Sequence, residues 1–348
     1  SMVGDMPDFK ALIAIVADGD SLNVEQARAA FDVMMSGDAT PSQMGAFLMA
    51  LRVRGETVDE ITGGVMTMRD RMTPIKAPPG AMDIVGTGGD GKHTLNISTA
   101  TAIVVAGCGV PIAKHGNRAA SSKTGTTDVQ NTLGINVDAD FSLLQAALDE
   151  AGICFMAAPR HHGAMRNVGP TRVEMGTRTI FNILGPMSNP AGVKRQLIGV
   201  FDRHWLRPMA EVLRTLGSER VWVVHGADGT DEITTTGPTY VVALENGEIT
   251  EFEVLPAQAG LPLATLEDLR GGEAEENAAA LNALLQGAAG AYRDVVLFNA
   301  AAALIIADKA ADLPEGVAMA ARAIDEGLAL EKLHRLVEIT NRTAPSAS

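Results

Sequence analysis

From residue 82 onward the chain alternates short apolar runs with helical patterns, and this alternation constrains its fold more than any other feature. The runs are MDIV (82–85), VPIA (110–113), ICFM (153–156), QLIGV (196–200) and VWVV (221–224). Runs that are apolar throughout are typical of strands buried on both faces of a parallel sheet. A later segment, 239–254, predicts a hairpin that turns at Asn246-Gly247. Residues 82–348 are therefore predicted to form an α/β domain whose mostly parallel central sheet is flanked by helices.

The first 73 residues carry helix signals and no strand pattern. Thr40-Pro41-Ser42-Gln43 combines a capping box with proline at the first helical position, and Gly55 marks the end of that helix. A second capping box runs from Thr57 to Glu60. A proline-rich stretch then breaks the helical pattern. These signals predict a small N-terminal helical domain, 1–73. We expect a helical segment near 165–190 to join it.

The charge balance of the chain argues against two classes of partner. It holds 28 Lys and Arg against 42 Asp and Glu, a formal net charge of −14, so its surface repels nucleic acid and anionic membranes. No apolar run is long enough to cross a membrane, and the N-terminus lacks the pattern of a signal peptide. The two cysteines, Cys108 and Cys154, form no CxxC pair and suit a reducing compartment. We therefore expect a cytoplasmic protein that binds neither nucleic acid nor membrane.

A glycine-rich loop follows the first predicted strand, in the stretch MDIVGTGGDGKHT. Gly86, Gly91 and Lys92 have the spacing of an ATP-binding P-loop, but His93 stands where that motif needs a Ser or Thr for magnesium. We therefore reject the ATP site. Glycines still let backbone N–H groups approach an anion, and a helix predicted to begin near Ile97 adds a second anion-binding feature. An ordinary glycine turn before a capped helix explains the same residues.

Two further polar segments follow later strands. AKHGNRAASSKTGTTDV (113–129) offers the cations Lys114 and Arg118 and several short hydroxyl side chains, a set that suits a polyphosphate. VVHGADGTDEITTTG (223–237) carries Asp231-Glu232, and two carboxylates near a phosphate site suit Mg²⁺. Solvated surface loops have the same composition. However, parallel strands place their carboxyl ends at one edge of the sheet, where α/β proteins bind ligands.

Several motifs follow one another along nearly the whole chain: GTGGD, NISTA, KHGNRAASS, GTTDV, RNVGPTRVEMGTRTIFNILGPMSNPA and DGTDE. In the order and spacing of these motifs the chain resembles the anthranilate phosphoribosyltransferase family. The long stretch, 166–191, is the most specific, because GTGGD and GTTDV are shared with pyrimidine nucleoside phosphorylases. The resemblance implies a small helical domain beside a larger α/β domain. It also implies transfer of the phosphoribosyl group of phosphoribosyl pyrophosphate (PRPP) to the amino group of anthranilate, in tryptophan biosynthesis.

The resemblance assigns residues to each ligand, and it implies a homodimer through the N-terminal helices. The PRPP-binding positions are Gly86, Gly89, Asp90, Thr94, Asn96, Ile97, Ser98, Thr99, Lys114, His115, Gly116, Asn117, Arg118, Ala119, Ala120, Ser121, Ser122 and Thr126. The anthranilate positions are Gly86, Asn117 and Arg172. The metal positions are Ser98, Asp231 and Glu232, and they imply Mg²⁺, with two ions when PRPP is bound. No residue stands out as an obligatory general base.

The neighbouring histidines His161 and His162 have the composition of a metal or acid–base pair. Residues adjacent in sequence do not share a helix face, so we do not expect them to act together. We expect His162 at most to line the pocket.

Two other functions compete with phosphoribosyl transfer. A pyrimidine nucleoside phosphorylase would share the overall design, but it binds a neutral base and needs no arginine for an acceptor carboxylate. A catalytically idle relative that binds nucleic acid would need a basic groove and aromatic residues for stacking. The net charge of −14 and the 4% aromatic content argue against that relative.

Overall fold

The structure, a computed structural model, describes residues 8–116 and 126–343, with side chains for all of these except 126–128. The helices of the described chain are α1 (Phe9–Ala17), α2 (Val24–Ser36), α3 (Pro41–Arg54), α4 (Val58–Arg71), α5 (Ile97–Gly107), α6 (Thr126–Thr132), α7 (Phe141–Ala151), α8 (Ala158–His161), α9 (Gly169–Met175), α10 (Phe181–Leu184), α11 (Leu206–Thr215), α12 (Ala274–Leu285), α13 (Ala291–Ile306), α14 (Leu313–Asp325) and α15 (Leu328–Thr340). The strands are β1 (Met82–Gly86), β2 (Ile112–Gly116), β3 (Ile153–Ala157), β4 (Arg195–Gly199), β5 (Arg220–Gly226), β6 (Thr239–Glu245) and β7 (Glu248–Val254).

The N-terminal helices begin and end where their sequence signals predict. The hydroxyl of Thr40 accepts a hydrogen bond from the N–H of Gln43, whose side chain accepts one from the N–H of Thr40. Thr57 and Glu60 form the same reciprocal pair at the start of α4. Gly55 ends α3 with a φ of 92°, a backbone angle that favours glycine. These local predictions are therefore confirmed.

The central sheet has seven strands in the order β3-β2-β1-β4-β5-β6-β7. The first five run parallel and the last two antiparallel, which confirms a mostly parallel sheet. Every apolar run singled out in the sequence overlaps one of the five parallel strands. The predicted hairpin joins β6 to β7, with positive φ at both Asn246 (51°) and Gly247 (82°), as a tight two-residue turn requires.

Strand order reverses at β1, because β2 pairs on one side of it and β4 on the other. In open α/β sheets a crevice forms outside the carboxyl ends of the strands at such a reversal, and ligands bind there. The carboxyl ends of β1, β2 and β5 therefore lie at the edge of the sheet where the sequence predicts a site.

Two large hydrophobic clusters cover the sheet. One packs α5, α13 and α15 against the strands. The other combines α1–α4 with α11, with one face of the strands and with buried side chains of residues 168–187. Within this second cluster the ring centroids of Phe31 and Phe181 lie 5.4 Å apart. The segment that carries α9 and α10 is thus packed between the N-terminal helices and the sheet. No helix among residues 8–116 and 126–343 is long and apolar enough to span a membrane.

Candidate active site

A cavity of about 640 Å³ lies at the carboxyl ends of β1, β2 and β3, beneath α4 and the segment that carries α9 and α10. The predicted site residues that line it are Gly86, Gly89, Asp90, Thr94, Asn96, Ile97, Ser98, Lys114, His115, Gly116, Arg172, Asp231 and Glu232. Asn117, Arg118, Ala119, Ala120, Ser121 and Ser122 lie outside the described residues. Thr126 is the first residue of α6 and its side chain is not described, whereas Thr99 is buried behind the cavity wall.

The glycine loop, residues 86–91, presents unused backbone donors. Gly88 and Gly89 have φ angles of 68° and 74°, which L side chains rarely adopt. The N–H of Gly88 donates to Asp231 Oδ2 at 2.8 Å. Within the described part of the chain, the N–H groups of Gly89, Asp90 and Gly91 have no acceptor. Such a run of free donors is a ready site for an anion.

The first turn of α5 adds a second set of polar groups. The helix begins at Ile97, as predicted, and Asn96 precedes it. Asn96 Oδ1 and Thr99 Oγ1 are buried and have no hydrogen-bond partner among the described residues. Buried polar atoms are normally paired, so Asn96 Oδ1, on a residue that lines the cavity, is positioned for a bound ligand or water.

Three carboxylates meet at the floor of the cavity. One oxygen from each of Asp90, Asp231 and Glu232 lies within 4.8 Å of the others. The N–H of Asp231 donates to Asp90 Oδ2 at 3.2 Å, and Thr94 Oγ1 donates to Glu232 Oε1 at 3.1 Å. Burial, followed by the charge of neighbouring carboxylates, raises the pKa of both Asp231 and Glu232 well above the ordinary value. Carboxylate oxygens that the fold holds together despite burial and mutual repulsion suit Mg²⁺, a cation that prefers oxygen ligands.

The family resemblance gives Asp90 as a PRPP-binding position, and the structure places its carboxylate in the same cluster as those of Asp231 and Glu232. Ser98 carries no carboxylate, but it lines the cavity with them, and it also lines a second, small cavity beside Asp231 and Glu232. The metal residues named from the sequence thus lie together in the fold.

Two residues that no sequence motif indicates, Gly199 and Asp228, hold the acidic loop in place. Gly199 ends β4, and a methyl group there would overlap the main chain of Asp231. Asp228 accepts hydrogen bonds from the hydroxyls of Thr230, Thr234 and Thr236 at 2.7, 2.6 and 2.7 Å. Burial alone would raise the pKa of Asp228, but these bonds outweigh it and lower the pKa. The run of threonines after an aspartate was the available sequence signal.

Lys114 is held in place by a network of buried hydrogen bonds. Its Nζ donates to the carbonyl of Ile84 at 2.6 Å, and only 4% of the residue is exposed. Asp83, which is fully buried, accepts from the N–H of His115 at 3.1 Å and from Asn189 Nδ2 at 2.9 Å. Burial raises the pKa of Asp83 to about 6, although the charge of Lys114 opposes the shift. An aspartate inside an otherwise apolar run was the sequence signal for this network.

The histidines divide as the sequence predicts. His162 lines the cavity beside His115, with ring centroids 5.1 Å apart. His161 instead lies against the ring of Phe141, and its Nδ1 is 2.8 Å from the carbonyl of Thr73. Burial lowers the pKa of His115 to about 3 and that of His162 to about 4, so both rings are neutral at physiological pH. His162 thus faces the cavity, whereas His161 packs against Phe141 away from it.

Arg172 is half-buried and faces the cavity. Its guanidinium carbon lies 5.8 Å from the centroid of the Phe181 ring, and burial lowers its pKa. No ion pair of Arg172 occurs among the described residues, although many other arginines of the described chain are paired with a carboxylate. An unpaired, partly desolvated arginine is available to bind an anionic group of a ligand. Arg166, which is not among the residues predicted to bind a ligand, also lines the cavity.

Comparison with known proteins assigns the family. A model described as glycosyl transferase family, a/b domain matches residues 78–330, and one described as glycosyl transferase family, helical bundle domain matches residues 10–72. The anthranilate phosphoribosyltransferase of Rhodopseudomonas palustris (strain HaA2) is 63% identical over 335 residues, covering 96% of this chain and 99% of that protein. The chain belongs to the anthranilate phosphoribosyltransferase family.

Other members of the anthranilate phosphoribosyltransferase family agree in sequence and in fold. The protein of that name from Azospirillum brasilense is 61% identical over 338 residues, covering 97% of this chain and 95% of that protein. The crystal structure of the Thermus thermophilus protein matches with a TM-score of 0.90 and 40% identity, covering 95% of this chain and 99% of that one. The Saccharomyces cerevisiae enzyme in complex with PRPP and Mg matches with a TM-score of 0.87 and 27% identity, covering 95% and 97%.

Proposed function

We propose that this chain transfers the phosphoribosyl group of PRPP to the amino nitrogen of anthranilate and releases pyrophosphate. One observation carries the proposal: free backbone donors, a carboxylate cluster and an unpaired arginine line the same cavity. The family to which the chain belongs, and the yeast relative solved with PRPP and Mg, support the same reaction. The chain is thus assigned to tryptophan biosynthesis as a magnesium-dependent glycosyltransferase.

The pyrophosphate end of PRPP is assigned to the glycine loop and the start of α5. The free N–H groups of Gly89 and Asp90 and the unpaired Asn96 Oδ1 support this assignment. Asp90, Asp231, Glu232 and Ser98 are assigned to Mg²⁺, because oxygen donors from the three acids lie within 4.8 Å of one another. Bound Mg²⁺ would neutralise negative charge that accumulates on the pyrophosphate as the bond to the ribose breaks.

The acceptor end of the cavity is assigned to Arg172, which would bind the carboxylate of anthranilate as a charge-assisted pair. In the reaction the bond between ribose C1 and the pyrophosphate oxygen breaks, and its electron pair leaves with the pyrophosphate. A new C1–N bond forms, and the amino nitrogen releases one proton. Since the acceptor is a weak aromatic amine, positioning contributes more than base catalysis, and we assign no residue as an obligatory base.

Loss of anthranilate fluorescence tests the proposal directly. The protein is mixed with PRPP, Mg²⁺ and anthranilate, and matched reactions omit PRPP or replace Mg²⁺ with a chelator. We expect a loss that requires both PRPP and metal. Fluorescence that stays constant, with a folded protein by circular dichroism, would reject the function. Phosphorolysis of thymidine and uridine in parallel reactions would then identify a nucleoside phosphorylase.

We further propose a cytoplasmic homodimer that forms through the N-terminal helices. Val53 on α3 is 81% exposed, Val173 on the adjoining α9 is 82% exposed, and Met49 lies one turn before Val53. Exposed apolar side chains on neighbouring helices favour an interface. Both cysteines are free thiols, in keeping with a reducing compartment. Light scattering of the wild type and of Val53→Glu tests the dimer, since the variant should be monomeric.

A further inference from the structure

Arg178 joins two parts of the site although it does not line the cavity. It follows α9 on the segment that carries Arg172, and its side chain reaches back to the glycine loop. Its Nη2 donates to the carbonyl of Gly89, and its guanidinium carbon lies 3.7 Å from the centroid of the Phe201 ring. Neither the sequence motifs nor the proposed chemistry account for this contact.

The contact between Arg178 and the carbonyl of Gly89 fixes the orientation of a peptide group in the glycine loop. A trans peptide places the carbonyl oxygen and the following N–H on opposite sides of the bond. When Arg178 holds the carbonyl of Gly89, it also sets the direction of the N–H of Asp90, one of the free donors of the loop. The loop is otherwise anchored by the N–H of Thr87, which donates to the carbonyl of Gly199 at 2.9 Å, and by Asp231. Among the described residues, Arg178 is thus the anchor of the loop that comes from the segment carrying Arg172, on the acceptor side of the cavity.

The segment that carries Arg178 is itself tied to the N-terminal helices. Arg52, near the end of α3, donates to the hydroxyl of Thr177 and to the carbonyl of Arg178, the latter at 2.8 Å. A continuous set of contacts therefore runs from α3 through residues 177–178 to the glycine loop. Arg172, the assigned acceptor residue, lies on the helix immediately before these contacts.

We infer that Arg178 is a positioning residue that couples the phosphate site to the acceptor site. The inference rests on the proposed function, which places pyrophosphate at the glycine loop and anthranilate at Arg172. A ligand on the loop favours the loop conformation that Arg178 contacts, and this in turn orders the segment that carries Arg172. By linkage, a ligand at either site then strengthens binding at the other by the same factor.

Ligand binding without turnover tests the coupling. The dissociation constant of anthranilate is measured by calorimetry with and without saturating magnesium pyrophosphate. In the wild type we expect magnesium pyrophosphate to tighten anthranilate binding by about tenfold. In Arg178→Ala the factor should fall to about one, and magnesium pyrophosphate alone should bind about fivefold more weakly. Arg178→Lys should retain part of the coupling, because an ammonium can still donate to the carbonyl of Gly89.

Arg203→Ala is the matched control. Arg203 also lies over an aromatic ring, with its guanidinium carbon 3.6 Å from the centroid of Tyr240, but it neither lines the cavity nor contacts the glycine loop. Its removal should leave the coupling factor unchanged. If Arg178→Ala does not fold, Arg52→Ala takes its place, since it removes the contacts behind residues 177–178.

The outcomes separate this inference from the proposed function. A wild type that shows turnover but binds the two ligands independently contradicts the inference alone. So does an Arg178→Ala protein with the wild-type coupling factor, or an Arg203→Ala protein that loses as much coupling. A wild type without turnover contradicts the proposed function, and one that also fails to bind either ligand contradicts both.

Discussion

The carboxylate of Asp231 accepts a hydrogen bond from the backbone N–H of Gly88, with 2.8 Å between oxygen and nitrogen. The two residues are 143 positions apart in the chain. In return, the N–H of Asp231 donates to the side chain of Asp90 at 3.2 Å. The acidic loop and the glycine loop therefore form one unit, and a change in either alters the other.

Removing the charge of the acidic pair should abolish most of the activity. In the double variant Asp231→Asn, Glu232→Gln the asparagine oxygen can still accept from Gly88, so the loops keep their conformation while the metal loses two anionic ligands. We expect kcat to fall on the order of 100-fold to 1000-fold, the loss typical when charge stabilisation at the reacting centre is removed. Initial rates across a Mg²⁺ titration measure the effect. Near-normal turnover at limiting Mg²⁺ would remove the pair from the mechanism.

Arg172→Ala should weaken binding of the acceptor and spare PRPP. Loss of a charge-assisted hydrogen bond to a carboxylate predicts a KM for anthranilate that is about 10-fold to 100-fold higher. Steady-state kinetics with each substrate varied in turn separate the two constants. Arg166→Ala is the control, because Arg166 lines the same cavity but is exposed. If both KM values rise together in Arg172→Ala, the arginine does not act on the acceptor.

Neutralising Asp90 should stabilise the metal-free protein. Burial, and then the charge of Asp90, raises the pKa of Asp231. A carboxyl whose pKa is raised by folding binds its proton more tightly in the folded state, so stability is greatest below the ordinary pKa. That stability is lost as pH rises through the raised value. With a chelator at about pH 8, Asp90→Asn should therefore melt about 2 °C above the wild type, with a smaller difference at about pH 5.

Mg²⁺ should stabilise Asp90→Asn less than it stabilises the wild type, because the variant lacks one of the three carboxylates of the acidic cluster. Thermal melts at matched pH with and without the metal provide the comparison. A metal-free Asp90→Asn protein that melts below the wild type at the higher pH would show that the three acids do not repel one another in the fold.

Gly199→Ala should displace the acidic loop without unfolding the sheet. The added methyl group would overlap the main chain of Asp231, so the loop must shift away from β4. We expect the Mg²⁺-dependent rate to fall by at least about 10-fold, in keeping with the sensitivity of catalysis to a small misplacement. Gly45→Ala on α3 is the control, because nothing lies within 4 Å of a methyl group at that position. Equal rates for the two variants would contradict the close approach of the loop to β4.

Much of the fold could be read from local patterns. The capping boxes at Thr40 and Thr57 satisfy backbone donors within one turn, so they specify a helix start without reference to the rest of the chain. Asn246-Gly247 adopts the positive φ of a tight hairpin for the same local reason. The late start of α5 at Ile97 was visible as well, and it separates this glycine loop from an ATP-binding one.

The sequence by itself therefore determined the helices, the buried strands and the identity of the polar motifs, because each rests on neighbours only a few residues away. Only the tertiary structure decided that Asp90 joins Asp231, that Asp83 lies beneath Lys114, and that Arg178 holds the carbonyl of Gly89. Those contacts depend on strand order, which brings the carboxyl ends of β1, β2 and β5 to one edge of the sheet. Strand order is set by how whole layers bury their apolar faces, and no local spacing of residues records it.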